Sequence, residues 1–418
     1  MNHLRFGDLT CFDAVMMSSN RSQSDEIFKE ENSVMIHLTV TGRCYAQCKG
    51  CVNSAITVRS LKPRSSIIAF QESEPKRDSA IILDLISRLP DQMITVCFYG
   101  GEPFMATEKM ERVWRILKES KAGNRIRYMV YTNGELLIDA MDRYPEFIQD
   151  MWLYSISIDG GREQHNRVRQ GTDLDNIVRN VIALQTSYKG HVLLWSTLRE
   201  EQSLLNCFGE FMRLYEQGIV NHFFWHWAET VEHFDNFPSY AEQYGQELEK
   251  VMDVYVENLS DEKLLPVCHL NELVLYLITG KERGHTACSV ELAKNYDVVS
   301  GKVFACADLP SAYNIGELNK EGRLDLRECD LNSLVEYKKW LGCHKCGVHP
   351  YCGGRCPVQA LTGSKERTLE YCQLMRLHVG IVQERTEEII RALDSNGLTI
   401  QDVYDRSAFL TKYTDVVP

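Results

Sequence analysis

The sequence lacks the features that place a protein in a membrane or on nucleic acid. No apolar run approaches the roughly 18 residues that a bilayer-spanning helix needs. The first residues, MNHLRFGDLTCFDAVMMSSNRS, contain no basic segment followed by a long apolar core, so no secretory signal is predicted. A basic excess is also missing, because 46 Lys and Arg stand against 58 Asp and Glu, a net charge of −12. These absences predict a cytoplasmic protein without a non-specific affinity for anionic membranes or nucleic acid.

Internal repeats and low-complexity tracts are absent too, and the composition is that of a globular protein. Apolar residues make up 44% of the chain and charged residues 25%. A length of 418 residues predicts two or three domains.

Cysteine, by contrast, is abundant. The chain has 15 cysteines, an odd number, and a reducing cytoplasm disfavours a disulfide scaffold. Five of them are isolated and are predicted to be small core residues. The clustered ones, which indicate metal chemistry, are Cys44, Cys48, Cys51, Cys288, Cys306, Cys343, Cys346, Cys352, Cys356 and Cys372.

Short apolar runs alternate with amphipathic ones in the first half of the chain. The predicted strands are Val34–Val40, Met93–Tyr99, Arg127–Thr132, Met151–Ile158, His191–Thr197 and Ile219–Trp227. The predicted helices between them are Asp78–Leu89, Met105–Lys121, Leu136–Gln149, Asp173–Ser187 and Ser203–Gln217. This order indicates βαβ units, a parallel sheet and a partial (β/α)6 barrel with its functional residues at the carboxyl ends of the strands.

The remaining sequence divides into segments of different character. We predict an N-terminal extension (1–33), the barrel (34–235), a helical connector (236–283), a cysteine-rich domain (284–376), and a C-terminal helix, Leu377–Leu393, with a tail (377–418).

The motif Cys44-x3-Cys48-x2-Cys51 directly follows the first strand. Structural zinc usually takes four protein ligands, so three thiolates without a fourth make an awkward zinc site. They suit a [4Fe–4S] cluster in which one iron has no protein ligand. Free core thiols are the remaining interpretation.

At this position the motif resembles that of the radical S-adenosylmethionine (SAM) superfamily. The resemblance implies that SAM binds the open iron and is cleaved reductively to methionine and a 5′-deoxyadenosyl radical, which abstracts hydrogen from a substrate. An aromatic residue usual in the family before the third cysteine is replaced here by Gly50, so no adenine contact is assigned.

The ends of the next strands resemble further motifs of the family. The second strand ends in GGEP, the third in TNG, and the fourth in SIDG followed by His165 and Arg169. Glycines let the backbone approach a ligand, and the planar fork of arginine suits a carboxylate. We therefore expect Gly101→Val to weaken SAM binding without loss of iron. The resemblance implies these SAM-binding residues: Gly100, Gly101, Glu102, Pro103, Thr132, Asn133, Ser157, Asp159 and Arg169.

The later cysteines resemble the seven-cysteine pattern of the SPASM domain, a C-terminal extension of many radical SAM enzymes. The resemblance implies two auxiliary [4Fe–4S] clusters, three clusters in all. The nearer one would use Cys288, Cys306 and Cys356, and the farther one Cys343, Cys346, Cys352 and Cys372. Glu291 or Cys268 is a candidate fourth ligand of the nearer cluster, and zinc ribbons are the alternative for the whole array.

We expect an α/β fold, a partial (β/α)6 radical SAM barrel with a C-terminal iron–sulfur SPASM domain. The leading function is hydrogen abstraction from a peptidyl substrate, to crosslink or oxidise a ribosomal peptide. The alternatives are an anaerobic sulfatase maturase that forms formylglycine, radical chemistry on a small molecule, and a non-catalytic iron–sulfur or zinc-binding module. No catalytic acid or base is assigned, but His226 on the aromatic sixth strand and Asp308 are candidates. Sulfatase maturases place an aspartate directly after the second SPASM cysteine, whereas Asp308 stands one residue later.

The resemblance also implies partners. A flavodoxin- or ferredoxin-type donor would supply electrons under anaerobic conditions. Only about thirty-three residues precede the first strand, fewer than the peptide-binding domain that begins many peptide maturases. A separate peptide-recognition protein is therefore expected if the substrate is a ribosomal peptide.

Overall fold

The computed structural model describes residues 33–51, 71–228, 233–309, 313–327, 329–414 and 416–418. They form two compact units. The barrel unit contains the described residues of Asn32–Thr230 and Leu292–Leu331, and the helical unit those of Val231–Glu291 and Asn332–Pro418. The predicted N-terminal extension lies outside the described residues except for Ser33. In neither unit does a described helix have the length and apolar character needed to cross a membrane.

Six parallel strands form the centre of the barrel unit. They are β1 (Ser33–Thr41), β2 (Met93–Gly100), β3 (Ile126–Thr132), β4 (Met151–Ser157), β5 (His191–Leu198) and β6 (His222–Trp227). Each pairs in parallel with the next. Every residue of β1 is buried, as expected for a parallel strand covered on both faces. The prediction of an open α/β barrel is confirmed.

Helices connect the strands. They are α1 (Pro75–Ser87), α2 (Thr107–Lys118), α3 (Leu137–Arg143), α4 (Pro145–Gln149), α5 (Arg162–Val168), α6 (Leu174–Gln185) and α7 (Leu204–Glu216). The single helix predicted over Leu136–Gln149 is two helices, because Pro145 begins α4 and disfavours helical backbone at the residue before it. The short helix α5 was not predicted from the sequence.

The sheet continues beyond β1 with strands from the cysteine-rich segment. These are β7 (Asn295–Val299), β8 (Lys302–Phe304), β9 (Asn314–Leu318) and β10 (Leu324–Leu326), and the order across the ten strands is β10-β9-β8-β7-β1-β2-β3-β4-β5-β6. β7 is parallel to β1, and β8 returns antiparallel through a turn at Gly301, whose φ is +84°. The described residues of 292–331 therefore fold with the barrel strands, although the sequence placed them in a separate domain that starts at 284.

The helical unit combines long helices with short helices and turns around the last cysteines. Its helices are α8 (Phe237–Ser260), α9 (Cys268–Thr279), α10 (Tyr337–Leu341), α11 (His349–Cys352), α12 (Pro357–Thr362), α13 (Lys365–Glu384), α14 (Thr386–Ser395) and α15 (Ile400–Arg406). The C-terminal helix begins earlier than predicted, because Ser364 caps α13 by accepting a hydrogen bond from Arg367 N at 3.0 Å. Cys372 is consequently a helical residue.

Candidate active site

The loop after β1 carries the first clustered cysteines, Cys44, Cys48 and Cys51, and all three are half-buried. Its start is fixed to the end of β2 by two backbone hydrogen bonds. Gly101 N donates to Thr41 O at 2.9 Å, and Glu102 N donates to Arg43 O at 2.8 Å. The GGEP motif therefore determines where the first cysteine lies.

The glycines of this motif are required by the neighbouring strand. A Cβ atom on Gly100 would overlap Thr41 O, and one on Gly101 would overlap Arg43 O. The φ of Gly100 is +135°, which side-chain-bearing residues rarely adopt. The sequence attributed these glycines to the approach of a ligand, whereas the structure shows that they allow the cysteine loop to approach β2.

The environment of the first cysteine fits an iron–sulfur cluster. Burial raises the pKa of the Cys44 thiol to about 12, and the negative charges of Glu102, Cys48 and Cys51 add to this effect. Deprotonated thiols in such a site need a cationic group to stabilise them, which the irons of a [4Fe–4S] cluster provide. The three thiols on one loop are thus suited to holding such a cluster.

Glu102 joins the ends of two strands. Its carboxyl accepts hydrogen bonds from Thr132 Oγ1 at 2.8 Å, Asn133 N at 2.9 Å and Phe104 N at 3.1 Å. Burial raises its pKa to about 7, although these donors lower it. The side chain thus orders the TNG motif at the end of β3.

Tyr45, which the sequence analysis did not single out, links the cysteine loop to β3. Its hydroxyl donates to Asn133 Oδ1 at 2.9 Å, and the same oxygen accepts from Glu135 N at 3.0 Å. Asn133 Nδ2 is buried and has no hydrogen-bond partner among the described residues. A buried amide donor without a partner fits a polar ligand at this edge of the sheet.

Asp159, just beyond β4, is fully buried and binds two arginines. Arg169 donates from Nε to Oδ2 at 2.6 Å and from Nη2 to Oδ1 at 3.2 Å. Arg199 Nη1 donates to Oδ2 at 2.8 Å, and Thr197 N donates to Oδ1 at 2.8 Å. Burial alone would raise the pKa of Asp159, but the two guanidinium groups hold it well below its usual range.

Both arginines also reach the cysteine loop. Arg169 Nη1 lies 3.9 Å from Cys48 Sγ, and Arg199 Nε donates to Lys49 O. Because Asp159 occupies two of the nitrogens of Arg169, Nη1 is the one directed to the loop. His165 supports the turn, since Asp159 N donates to its Nδ1 at 3.1 Å.

All the sequence-predicted SAM-binding residues thus lie at one edge of the sheet. Eight of them occupy the last residues of β2, β3 and β4 or the turns that follow: Gly100, Gly101, Glu102, Pro103, Thr132, Asn133, Ser157 and Asp159. The ninth, Arg169, follows α5 and pairs with Cys48 in a short antiparallel ladder.

Aromatic rings cover the inner face of the sheet. Neighbouring rings lie 4.7 to 6.3 Å apart between centroids, and they belong to His37, Tyr99, Tyr131, Trp195, Phe224 and His226. His37 Nδ1 also pairs with Asp297 Oδ1 on β7 at 2.8 Å. The other oxygen of Asp297 accepts from Ala307 N, next to Cys306. One of the predicted auxiliary ligands is thereby placed beside the inner face.

The two candidate catalytic residues lie in different surroundings. His226 is buried on β6, with Nε2 3.0 Å from Thr197 Oγ1, and burial lowers its pKa to about 3. A base this weak accepts few protons at neutral pH. Asp308 lies half-buried in the turn after Cys306. Neither assignment gains support from this geometry.

The thiols predicted to hold the farther auxiliary cluster interact with one another in the helical unit. Burial raises the pKa of Cys343 to about 11 and that of Cys372 to about 12, with further contributions from Cys352. Cys346 contributes at Cys343 as well. Four mutually interacting thiols fit a second site for a four-iron cluster.

The cysteines predicted for the nearer auxiliary cluster are divided between the units. Cys288 and Cys356 belong to the helical unit, where both raise the pKa of buried Tyr337 further above its usual value, an effect that comes first from burial. Cys306 belongs to the barrel unit.

The structure favours neither candidate for a fourth ligand. Glu291 already accepts hydrogen bonds from Thr286 N at 2.8 Å, Thr286 Oγ1 at 2.6 Å and Lys338 Nζ at 3.1 Å. Cys268 is fully buried at the first residue of α9. Within the described ranges, no group of three or more His, Cys, Asp or Glu side chains has the geometry of a single-ion site.

Sequence reasoning missed Tyr45, Arg199 and Asp297. Tyr45 stands inside the cysteine motif, so its position was a signal that could have been used. Arg199 follows β5 as Asp159 follows β4, and the rule that functional residues collect at strand ends would have found it. Asp297 had no comparable signal, because its strand was not predicted.

Comparison with known proteins finds a family match for part of the chain. Residues 38–196 match the family model of the Radical SAM superfamily. The solved structure of native anSMEcpe with bound AdoMet superposes with a TM-score of 0.63 and 16% identity, over 86% of this chain and 99% of that one. Native anSMEcpe with bound AdoMet and Cp18Cys peptide gives 0.64 and 16%, over 86% and 98%. At this identity the likeness shows a shared fold. A comparison with curated protein sequences finds no match.

Proposed function

We propose, from the match of residues 38–196 to the Radical SAM superfamily, that the chain is an enzyme that abstracts hydrogen from a peptidyl substrate. The observation that carries the proposal is the half-buried trio of thiols fixed by GGEP at the strand-end edge of an open barrel. A [4Fe–4S] cluster held by Cys44, Cys48 and Cys51 would supply the electron that cleaves SAM.

The chain's own residues bind and orient SAM. Asn133 Nδ2 offers a buried donor that lacks a partner among the described residues, and Arg169 Nη1 points to the cysteine loop. Glu102 and Asp159 act indirectly, by holding groups that face the ligand. The carboxyl group of Glu102 accepts from the backbone amide of Asn133, and that of Asp159 accepts from the guanidinium group of Arg169. Buried carboxyl groups with several donors each give this edge little freedom to move.

Two auxiliary [4Fe–4S] clusters complete the proposed set of cofactors. The mutual effects among Cys343, Cys346, Cys352 and Cys372 support the farther one. The nearer one would use Cys288, Cys306 and Cys356. The auxiliary clusters would accept an electron from the substrate radical, which is thereby oxidised, or anchor the substrate. A flavodoxin- or ferredoxin-type protein would be the external donor.

A peptidyl substrate is supported by the fold and by the inner face of the sheet. The chain shares its fold with anSMEcpe, whose structure holds the Cp18Cys peptide. The inner face, lined by aromatic rings and open at one side of the sheet, suits peptide side chains. A ribosomal peptide would reach it with the help of a separate recognition protein.

A second candidate is formylglycine formation on a sulfatase, since anSMEcpe is a sulfatase maturase. Asp308, one residue later than expected after Cys306, counts against it. Radical chemistry on a small molecule is the third candidate.

The experiment is a comparison of iron content and SAM cleavage in anaerobically reconstituted protein. The parent should hold about twelve irons as three [4Fe–4S] clusters and form 5′-deoxyadenosine with SAM and a strong reductant. The triple variant Cys44→Ala, Cys48→Ala, Cys51→Ala should lose about four irons and all SAM cleavage. Cys329→Ala, at an exposed cysteine, is the matched control and should retain both. Zinc without labile sulfide in the parent would contradict the proposal.

Substrate class is tested separately. Deuterium should pass into 5′-deoxyadenosine from a labelled candidate precursor peptide, or from the Cp18Cys peptide if the second candidate is correct. Transfer from a small metabolite alone would remove the peptidyl assignment and leave the radical SAM assignment in place.

A further inference from the structure

The buried charges of the Asp159 cluster, next to Cys48 and Lys49, do not balance. The side chains of Asp159, Arg199 and Arg169 are 0%, 6% and 10% exposed. One carboxylate neutralises one guanidinium group, so these residues together carry one positive charge away from water. Because buried charges are weakly screened, this excess acts on whatever lies next to it.

No neighbouring histidine changes this balance at neutral pH. Burial lowers the pKa of His165 to about 4 and that of His226 to about 3, so both rings are uncharged. On the solvent side, Lys49 Nζ pairs with Glu201 Oε1 at 2.6 Å, and their charges cancel.

The excess charge is directed at the loop between the cysteines. Arg199 Nε donates to the carbonyl of Lys49, which stands between Cys48 and Cys51. Arg199 Nη1 is fixed further by Gln202 Oε1 at 2.9 Å and Thr197 O at 3.0 Å. A guanidinium group bound by this many acceptors has one orientation, and that orientation faces the loop.

We propose that the buried charge of Arg199 raises the reduction potential of the cluster held by Cys44, Cys48 and Cys51. An added electron is stabilised by a fixed cation in a water-poor site, and charge and burial are among the means by which proteins tune such potentials. Arg199 thus makes the cluster easier to reduce. The inference rests on the proposed function, which supplies the cluster.

The test measures the midpoint potential of this cluster by redox titration. The cluster is followed by its electron paramagnetic resonance signal, which is the one that changes when SAM is added. Arg199→Gln removes the charge but keeps an amide donor for the Lys49 carbonyl. We expect the ratio of reduced to oxidised cluster at a fixed potential to fall about tenfold, or ~59 mV for one electron. Arg199→Lys keeps the charge and should remain near the parent. Arg162→Gln, at an exposed arginine paired with Asp175, is the control and should not change the ratio.

Each result decides the question. Arg199→Gln with full iron and the parental potential would overturn the inference, as would a potential in Arg199→Lys that falls as far as in Arg199→Gln. If Arg199→Gln loses the cluster, the Arg199→Lys variant decides. A parental potential in Arg199→Lys supports the inference. Loss of iron in Arg199→Lys as well means that Arg199 only holds the loop, which overturns it. A parent without a SAM-sensitive signal would overturn the proposed function itself, which separates the two failures.

Discussion

At the scale of single residues, Asp159 is the shared counter-charge of two buried arginines, Arg169 and Arg199. Replacing it by asparagine leaves Arg169 and Arg199 buried without a counter-charge. Removing one partner of a buried ion pair typically costs about 3–5 kcal/mol, so Asp159→Asn should lower the free energy of unfolding of the iron-free protein by that order. Urea unfolding measures it. Asp175→Asn, which disrupts an exposed pair with Arg162, should have little effect.

The same residue predicts a dependence on pH. Burial would raise its pKa, but Arg169 and Arg199 hold it below the usual value, so folding favours the ionised form. The stabilisation is therefore complete above the ordinary aspartate pKa of about 4 and is lost as the pH falls toward the lower folded value. The difference in unfolding free energy between the parent and Asp159→Asn should shrink from pH 7 to pH 3. An equal difference at both pH values would show that the ion pairs are not its source.

Sequence reasoning at this scale found the residues that match a family motif. It missed the residues that hold those motif residues in place, and it missed the contacts between them. Arg169 and Asp159 were placed in the SAM site, but their mutual bond, which uses two nitrogens of Arg169, is visible only in the structure. Asp297 reaches His37 across two strands that are distant in the sequence, and no local pattern indicates such a contact.

At the scale of elements, the end of β2 and the start of the cysteine loop act together. Gly101→Ala should reduce iron at the first cluster as well as SAM binding, because the new Cβ would displace Arg43 O and move Cys44. This differs from the sequence-based expectation that a side chain at Gly101 would spare the iron. The iron content of reconstituted protein measures it.

The matched control is Gly209→Ala in α7. No atom lies within 4 Å of a Cβ at this position, and alanine favours a helix over glycine by about 1 kcal/mol. This variant should keep all its iron and unfold at higher urea concentration. Full iron in Gly101→Ala would show that the loop does not depend on this contact.

Strands of the parallel barrel were predictable because each is a continuous apolar run between amphipathic helices. All six were found, and β6 alone begins more than one residue from its predicted start. The strands β7 to β10 were missed because their runs are short and lie among turn residues. Their stability comes from pairing with β1, which the local sequence cannot indicate.

At the scale of the whole molecule, β1 is an interior strand of a ten-stranded sheet. Met35–Leu38 pair with β7 on one side and with β2 on the other. We expect the amide hydrogens of β1 and β7 to exchange slowly and with the same high free energy of opening, because opening one strand exposes the other. β10, at the edge of the sheet, should exchange faster. Exchange of β7 well before β1, measured by mass spectrometry, would show that the cysteine-rich hairpins open independently of the barrel.

The pairing of β1 with β7 has a consequence for biosynthesis. Met35 of β1 pairs with Asn295 of β7, so β1 leaves the ribosome about 260 residues before its partner. At 5–20 residues per second this interval lasts roughly 13 to 50 s, during which one side of β1 has no neighbour. A nascent chain with an apolar strand edge exposed for this long is a natural client for chaperones. Slower translation of residues 42–294 should therefore lower the yield of folded protein more than slower translation of residues 332–418.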